Sequence, residues 1–181
     1  MIKGDNIAKR FRTAENMLIK RNENSIWVSD TYVLIKLEEN EFKRFYRKYN
    51  GYRTTYDIPV LEPGQTFRED SNENKITDED PIGILISEYE KVDLKEARLL
   101  NFSYKYKNRN CRMYRYDKRV GLIDDKYSFV VENRQPVKLA CGGENEPLII
   151  KKSNRIVALI MPVRKGNDLS VEIKSLTKIA S

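Results

Sequence analysis

The stretch EPLIIKKSNRIVALIMPVR, from Glu146 to Arg164, decides how this chain folds. Two apolar runs flank the polar pair Ser153-Asn154, which suits a two-residue hairpin turn. PLIIKK (147–152) and RIVALIMPVR (155–164) therefore read as antiparallel neighbours. The run from Ile156 to Met161 has no polar interruption, so it predicts a strand covered on both faces. A second group of strand formers lies in the N-terminal third. ENMLIKR (15–21), the turn Asn22-Glu23-Asn24 and SIWVSDTYVLIKL (25–37) are rich in strand formers and read as a second hairpin. Ser29-Asp30-Thr31 interrupts its second run and marks a bend or bulge.

Short helices are expected against that sheet. In DNIAKRFRT (5–13), Asp5 or Asn6 caps a turn that puts Ile7 and Phe11 on one face and projects Lys9, Arg10 and Arg12 elsewhere. RVGLI (119–123) reads as a strand, and Asp124 or Asp125 then caps a helix carrying Tyr127, Val130 and Val131 on one side. VKLAC (137–141) is a further strand. The clearest helix is EENEFKRFYRKY (38–49). Phe42, Phe45, Tyr46 and Tyr49 recur at helical spacing, acids lead and bases trail, and Asn50-Gly51 stops it. Residues 52–81 read as a long loop with six acids and one lysine between Glu69 and Asp80. PIGILISEYE (81–90) reads as a strand, and VDLKEARLL (92–100) as a helix capped by Asp93. The fold class is α+β, a mostly antiparallel sheet backed by two short helices.

The composition narrows the function. The chain has 181 residues, enough to bury a core unaided. Its 34 Lys and Arg against 27 Asp and Glu leave a net charge of +7, which favours anionic partners, nucleic acid first. There is no histidine, so imidazole acid–base chemistry, Ser-His-Asp triads and His-bearing zinc sites are excluded. Cys111 and Cys141 are too far apart for a CxxC site and read as reduced thiols. No apolar run spans a bilayer and Met1-Ile2-Lys3-Gly4-Asp5 has no signal-like core, so a cytoplasmic location without membrane contact is expected. No cofactor or metal is expected.

SYKYKNRNCRMYRYDKR (103–119) carries Lys105, Lys107, Arg109, Arg112, Arg115, Lys118 and Arg119 against the single acid Asp117. Tyr104, Tyr106, Tyr114 and Tyr116 interleave with them. Cations neutralise phosphates and tyrosines stack on unpaired bases, which makes the segment a nucleic-acid candidate. The competing reading is an edge strand kept positive against aggregation.

Three stretches resemble one module of the DNA sliding clamp, the bacterial DNA polymerase III beta-subunit family, in the form of a small phage-type clamp-like protein. They are WVSDTYVLIKL (27–37), RVGLIDDKYSFVVEN (119–133) and the hairpin 146–164 with its Met161-Pro162-Val163-Arg164 ending. The resemblance implies a clamp-like module with sheet outside and helices inside, in which the two chain ends share one sheet: residues 1–37 and 106–164 form the domain, 38–105 an insertion of helix, acidic loop and strand or helix that has no place in the module, and 165–181 a tail. It implies sequence-independent contact with DNA phosphates through Lys9, Arg10 and Arg12 on the first helix and Lys126 and Arg134 at the second. It also places Met161 and Pro162 near a pocket for partner peptides. A clamp protomer of that family has three modules and this chain about one, so a ring implies a homo-oligomer.

Three functions follow as expectations. The first is a non-enzymatic, DNA-associated accessory protein of replication. The second is an interaction module or inhibitor that engages a host replication or defence protein through 52–81 and the aromatic-basic segment. The third is a metal-dependent nuclease using Asp78, Glu79, Asp80, Asp124 and Asp125.

Overall fold

A computed structural model describes residues 4–12, 14, 16–51, 60–69, 74–132, 137–143 and 145–164. The first helix, α1 (Gly4–Phe11), leads into β1 (Met17–Asn22), β2 (Ser25–Ser29) and β3 (Val33–Leu37). Helix α2 (Glu39–Asn50) precedes β4 (Thr66–Glu69), β5 (Asn74–Thr77) and α3 (Pro81–Lys91). Then come β6 (Lys95–Tyr106), β7 (Arg109–Tyr116), β8 (Arg119–Asp124), a 3-10 turn (Asp125–Tyr127) and α4 (Phe129–Glu132). Strands β9 (Lys138–Cys141), β10 (Leu148–Lys152) and β11 (Arg155–Ile160) complete the fold.

Eleven strands among the described residues form one sheet in the order β5-β4-β1-β2-β3-β11-β10-β9-β6-β7-β8, and every pairing is antiparallel. The two chain ends meet where Val33, Leu34 and Ile35 of β3 pair with Ile160, Leu159 and Ala158 of β11. Ser153 and Asn154 both adopt positive φ, 50° and 63°, and close the β10–β11 hairpin tightly. Beyond the turn the register shifts between Ile150 and Lys151, so Val157 and Ala158 together span one step of β10.

The sheet curls. β8 lies five strand positions from β11, about 24 Å across a flat sheet. Yet the Val163 N–H, just past β11, donates to the Leu122 carbonyl of β8 at 2.8 Å. Met161 N–H likewise donates to the Tyr32 carbonyl at 2.8 Å, so residues 161–163 stitch the β2–β3 bend to the last strand.

One face holds the main core. Ile7, Ala8 and Phe11 of α1 and Phe45 and Tyr49 of α2 are buried there with Ile19, Val28, Ile35, Ile150, Ala158 and Ile160. Phe11 meets Phe45 edge-on at 6.0 Å between ring centres, which locks the two helices together. Of the stripe read from the sequence of α2, Phe45 and Tyr49 are core, and Phe42 and Tyr46 pack half-buried against it. Each such fully buried side chain contributes about 1.5–3 kcal/mol relative to exposure.

The opposite face corrects two expectations. Residues 81–91 form a helix, not a strand. The Asp80 carboxylate accepts from Gly83 N–H at 2.9 Å, and Pro81 starts the first turn, where a missing N–H costs nothing. Ile82, Leu85, Ile86 and Tyr89 fall at helical spacing and cover Trp27, Leu34, Ile149, Ile156 and Leu159. This second layer is what the unbroken apolar run of β11 requires. Residues 95–106 form a strand, not a helix. Pairing with β9 and β7 overrides the helix-favouring composition of LKEARLL. The stretch 52–81, expected as a loop, holds β4 and β5 at one end of the sheet, and the segment expected as an insertion also supplies β6 within it, α2 on the main core and α3 on the other face, so more than the two expected short helices back the sheet.

A buried lysine ties that segment to the N-terminal hairpin. Lys20 is 4% exposed, and its Nζ donates to the Gly64 carbonyl at 2.5 Å with Asp80 at 3.8 Å. Gly64 sits at φ 95°, a conformation that favours glycine, and its N–H returns to the Arg21 carbonyl.

Candidate nucleic-acid interface

The β6–β7 hairpin turns at Lys107 and Asn108, both at positive φ, and projects from the end of the curled half of the sheet. Between its tip and the chain leaving β11 runs a groove of about 650 Å³. Tyr106, Lys107 and Arg109 of the hairpin line it, with Met161, Pro162, Val163 and Arg164 past β11 and Thr31, Tyr32, Asp124, Lys126 and Tyr127. An adjoining hollow of about 210 Å³ shares Thr31, Tyr32 and Lys126 and adds Arg10 of α1. Four cations and one carboxylate line the groove. Among the described residues none of those four cations is within ion-pair distance of a carboxylate.

The floor is rigid because Asp30 holds it. Asp30 is 5% exposed, and its Oδ1 accepts from Tyr32 N–H at 3.1 Å and Val33 N–H at 3.0 Å. Its Oδ2 accepts from the Tyr127 hydroxyl at 2.5 Å, which ties the β2–β3 bend to the 3-10 turn. The bend itself carries Thr31 at φ 72°. Burial pushes the Asp30 carboxyl above the usual carboxylate range, against the hydrogen bonds from Tyr127, Val33 and Tyr32 and the charge of Lys126. Tyr127 is pushed up by burial and by the facing Asp30 carboxylate, so its proton stays in place. Lys126 lies 4.6 Å from the Tyr127 ring centre and 5.7 Å from that of Tyr32, cation–π distances that fix its ammonium at the groove.

The structure sorts the expected contacts. Arg10, Lys107, Arg109, Lys126, Met161 and Pro162 converge on the groove and its hollow. Lys9 and Arg12 are exposed on or beside α1 without lining either. Arg134 lies outside the described residues. Lys105 is exposed on β6, and Arg115 on the face of β7 that carries Met113. Lys118 and Arg119 sit at the far end of β7, about 25 Å from Lys107 along the strand.

Arg112 is committed within the fold. Its Nε donates to Asp125 at 3.0 Å and its Nη2 lies 3.7 Å from Glu132, so it braces β7 against the 3-10 turn and α4. Arg112→Ala is therefore expected to lower stability by about 1–2 kcal/mol in urea titrations while leaving nucleic-acid affinity unchanged. A large drop in affinity with unchanged stability would reverse that assignment.

Two of the interleaved tyrosines are also corrected. Tyr114 and Tyr116 are 0% and 2% exposed and stack on each other in the core, where no base can reach them. The pleat explains this, because alternate residues of β7 face the helices. The carboxylates considered for metal chemistry separate likewise. Asp80 caps α3, Asp124 caps the 3-10 turn and Asp125 holds Arg112. No group of three or more Cys, Asp or Glu suited to a metal ion occurs among the described residues.

Sequence reasoning missed Tyr32, Asp30 and Arg164. An Asp inside Ser-Asp-Thr is a turn-former that bonds backbone two residues on, and that signal was present in the sequence. No helix among the described residues is long and apolar enough to cross a membrane. Compared with family models, with curated proteins and with solved structures, the chain gives no match.

Proposed function

We propose that this protein is a non-enzymatic, clamp-like accessory protein that holds nucleic acid through its backbone phosphates. The observation that carries the reading is the convergence of Arg10, Lys107, Arg109, Lys126 and Arg164, drawn from four separate parts of the chain, on one groove and its hollow. Cations outside ion-pair distance of a carboxylate stay available to phosphates, whereas paired ones such as Arg112 do not. The clamp comparison draws on α1, α2 and α4 sharing one face of the sheet, while α3 covers the other face, which a module with its sheet outside leaves open. DNA is the proposed partner in the cytoplasm, and self-assembly into a ring is part of the proposal.

The test is the salt dependence of binding to labelled DNA. Five phosphate contacts give a slope of log affinity against log salt of about −3 to −5. Lys107→Glu with Arg109→Glu is expected to weaken binding by more than about tenfold at low salt, since attraction to two phosphates turns into repulsion. Lys118→Glu, at the other end of β7, should change it less than about twofold. Affinity indifferent to salt would overturn the reading.

A second reading has its own observation. Met161 and Tyr32 are 42% and 50% exposed beside Pro162, an apolar strip on which a protein segment of a replication or defence partner would pack. It predicts a stoichiometric complex that survives high salt.

A further inference from the structure

Resting on the nucleic-acid reading above, we infer that the groove takes an unpaired strand, with a base lying against Tyr32 and its flanking phosphates on Lys107, Arg109 and Lys126.

Tyr32 is the first ground. It is an aromatic side chain half exposed at the groove, and its backbone is pinned on both sides. Its N–H donates to the Asp30 carboxylate and its carbonyl accepts from Met161 N–H. A backbone held this way leaves only the side-chain torsions to be ordered when a base stacks on the ring, so less of the stacking energy is lost to ordering.

The shape of the site is the second ground. About 650 Å³ is the range that encloses one small-molecule-sized group. A duplex keeps its bases stacked inside and offers only its backbone and groove edges to a protein. A single strand can turn a base into a recess this size, and the exposed Met161 and Pro162 give that base an apolar wall. Charge completes the argument, because cations stand on the hairpin side, at the floor and on the exit side of the groove, with Asp124 the one opposing carboxylate. That carboxylate is turned to the Lys126 N–H at 3.1 Å.

Fluorescence anisotropy tests this with a labelled oligothymidine of about 20 nucleotides and a duplex of the same length at about 50 and 200 mM salt. The single strand should bind at least about tenfold tighter than the duplex. Tyr32→Ala should weaken the single strand about 5- to 20-fold and the duplex less than twofold, and Tyr32→Phe should bind as the unaltered protein does. Photocrosslinking of the unaltered protein to an iododeoxyuridine strand should map to Tyr32, which reads the same contact without any substitution. Equal affinity for both forms, or a crosslink confined to other residues, would overturn the single-strand inference and leave phosphate binding standing. Absence of binding to either form at the lower salt would overturn the nucleic-acid reading itself.

Discussion

Gly121→Ala is expected to destabilise the protein by about 3 kcal/mol, a fall in Tm of about 6–12 °C for a chain this size. Gly121 of β8 faces Tyr114 of β7 directly across the ladder, and the tyrosine ring lies over it. A methyl group at Gly121 meets ring carbon Cζ at a separation far inside van der Waals contact, with the hydroxyl and Cε1 nearly as close. The ring has nowhere to retreat. It is fully buried, stacked on Tyr116 at 5.8 Å, with its hydroxyl 4.0 Å from Cys141 Sγ. Packing this dense converts one extra carbon into displaced backbone. The check is a double-mutant cycle. Tyr114→Leu alone costs several kcal/mol as a cavity, but combined with Gly121→Ala the total should fall at least about 1 kcal/mol short of additive. Additivity, or a neutral Gly121→Ala, would mean the ring does not occupy that place.

Asp30→Ala should cost about 3 kcal/mol at neutral pH. It removes one acceptor from three groups at once: Tyr32 N–H, Val33 N–H and the Tyr127 hydroxyl. Val33 and Tyr127 are 1% exposed, so water cannot stand in as their acceptor. Asp30→Asn keeps an amide oxygen for the two backbone donors and should cost about 1 kcal/mol. The two variants also separate by pH. Because burial raises the Asp30 pKa in the folded state, the native protein holds that proton more tightly than the unfolded chain. Its contribution is therefore fully present below the unfolded value, about 3.9, and is lost as pH rises through the folded value. Stability of Asp30→Asn relative to the native protein should accordingly improve with rising pH across that window. Urea midpoints measured between pH 3 and 8 provide the comparison, and a constant difference would show that Asp30 does not titrate in a buried site.

The parts of the fold legible in the sequence were those where one period dominates. Ser153-Asn154 between two apolar runs admitted one geometry, and the aromatic spacing of α2 another. Ile82-Gly83-Ile84-Leu85-Ile86 satisfied both periods, and only the Asp80-Pro81 start and the placement of Tyr89 separate helix from strand. In β6 the residues themselves favour a helix, and the neighbours that overrule them are distant in sequence. For the site, the density of positive charge at 103–119 pointed to the hairpin that borders the groove. It could not say which cations are presented, because that depends on the pleat of β7 and on Asp125 and Glu132 reaching Arg112. Tyr32 was invisible for the same reason: the groove it shares with Lys107 exists only once the sheet curls.

The pairing of β3 with β11 sets a schedule for biosynthesis. As the chain leaves the ribosome, Val33–Leu37 emerges early and its partner Arg155–Ile160 much later. At about 5–20 residues per second the wait is on the order of ten seconds, during which an apolar strand edge stands open to other nascent chains. Products released by a stop codon ahead of Arg155 would keep that edge for good, and they should accumulate in inclusion bodies, whereas a translation product that reaches Ile160 seals it with its own β-ribbon.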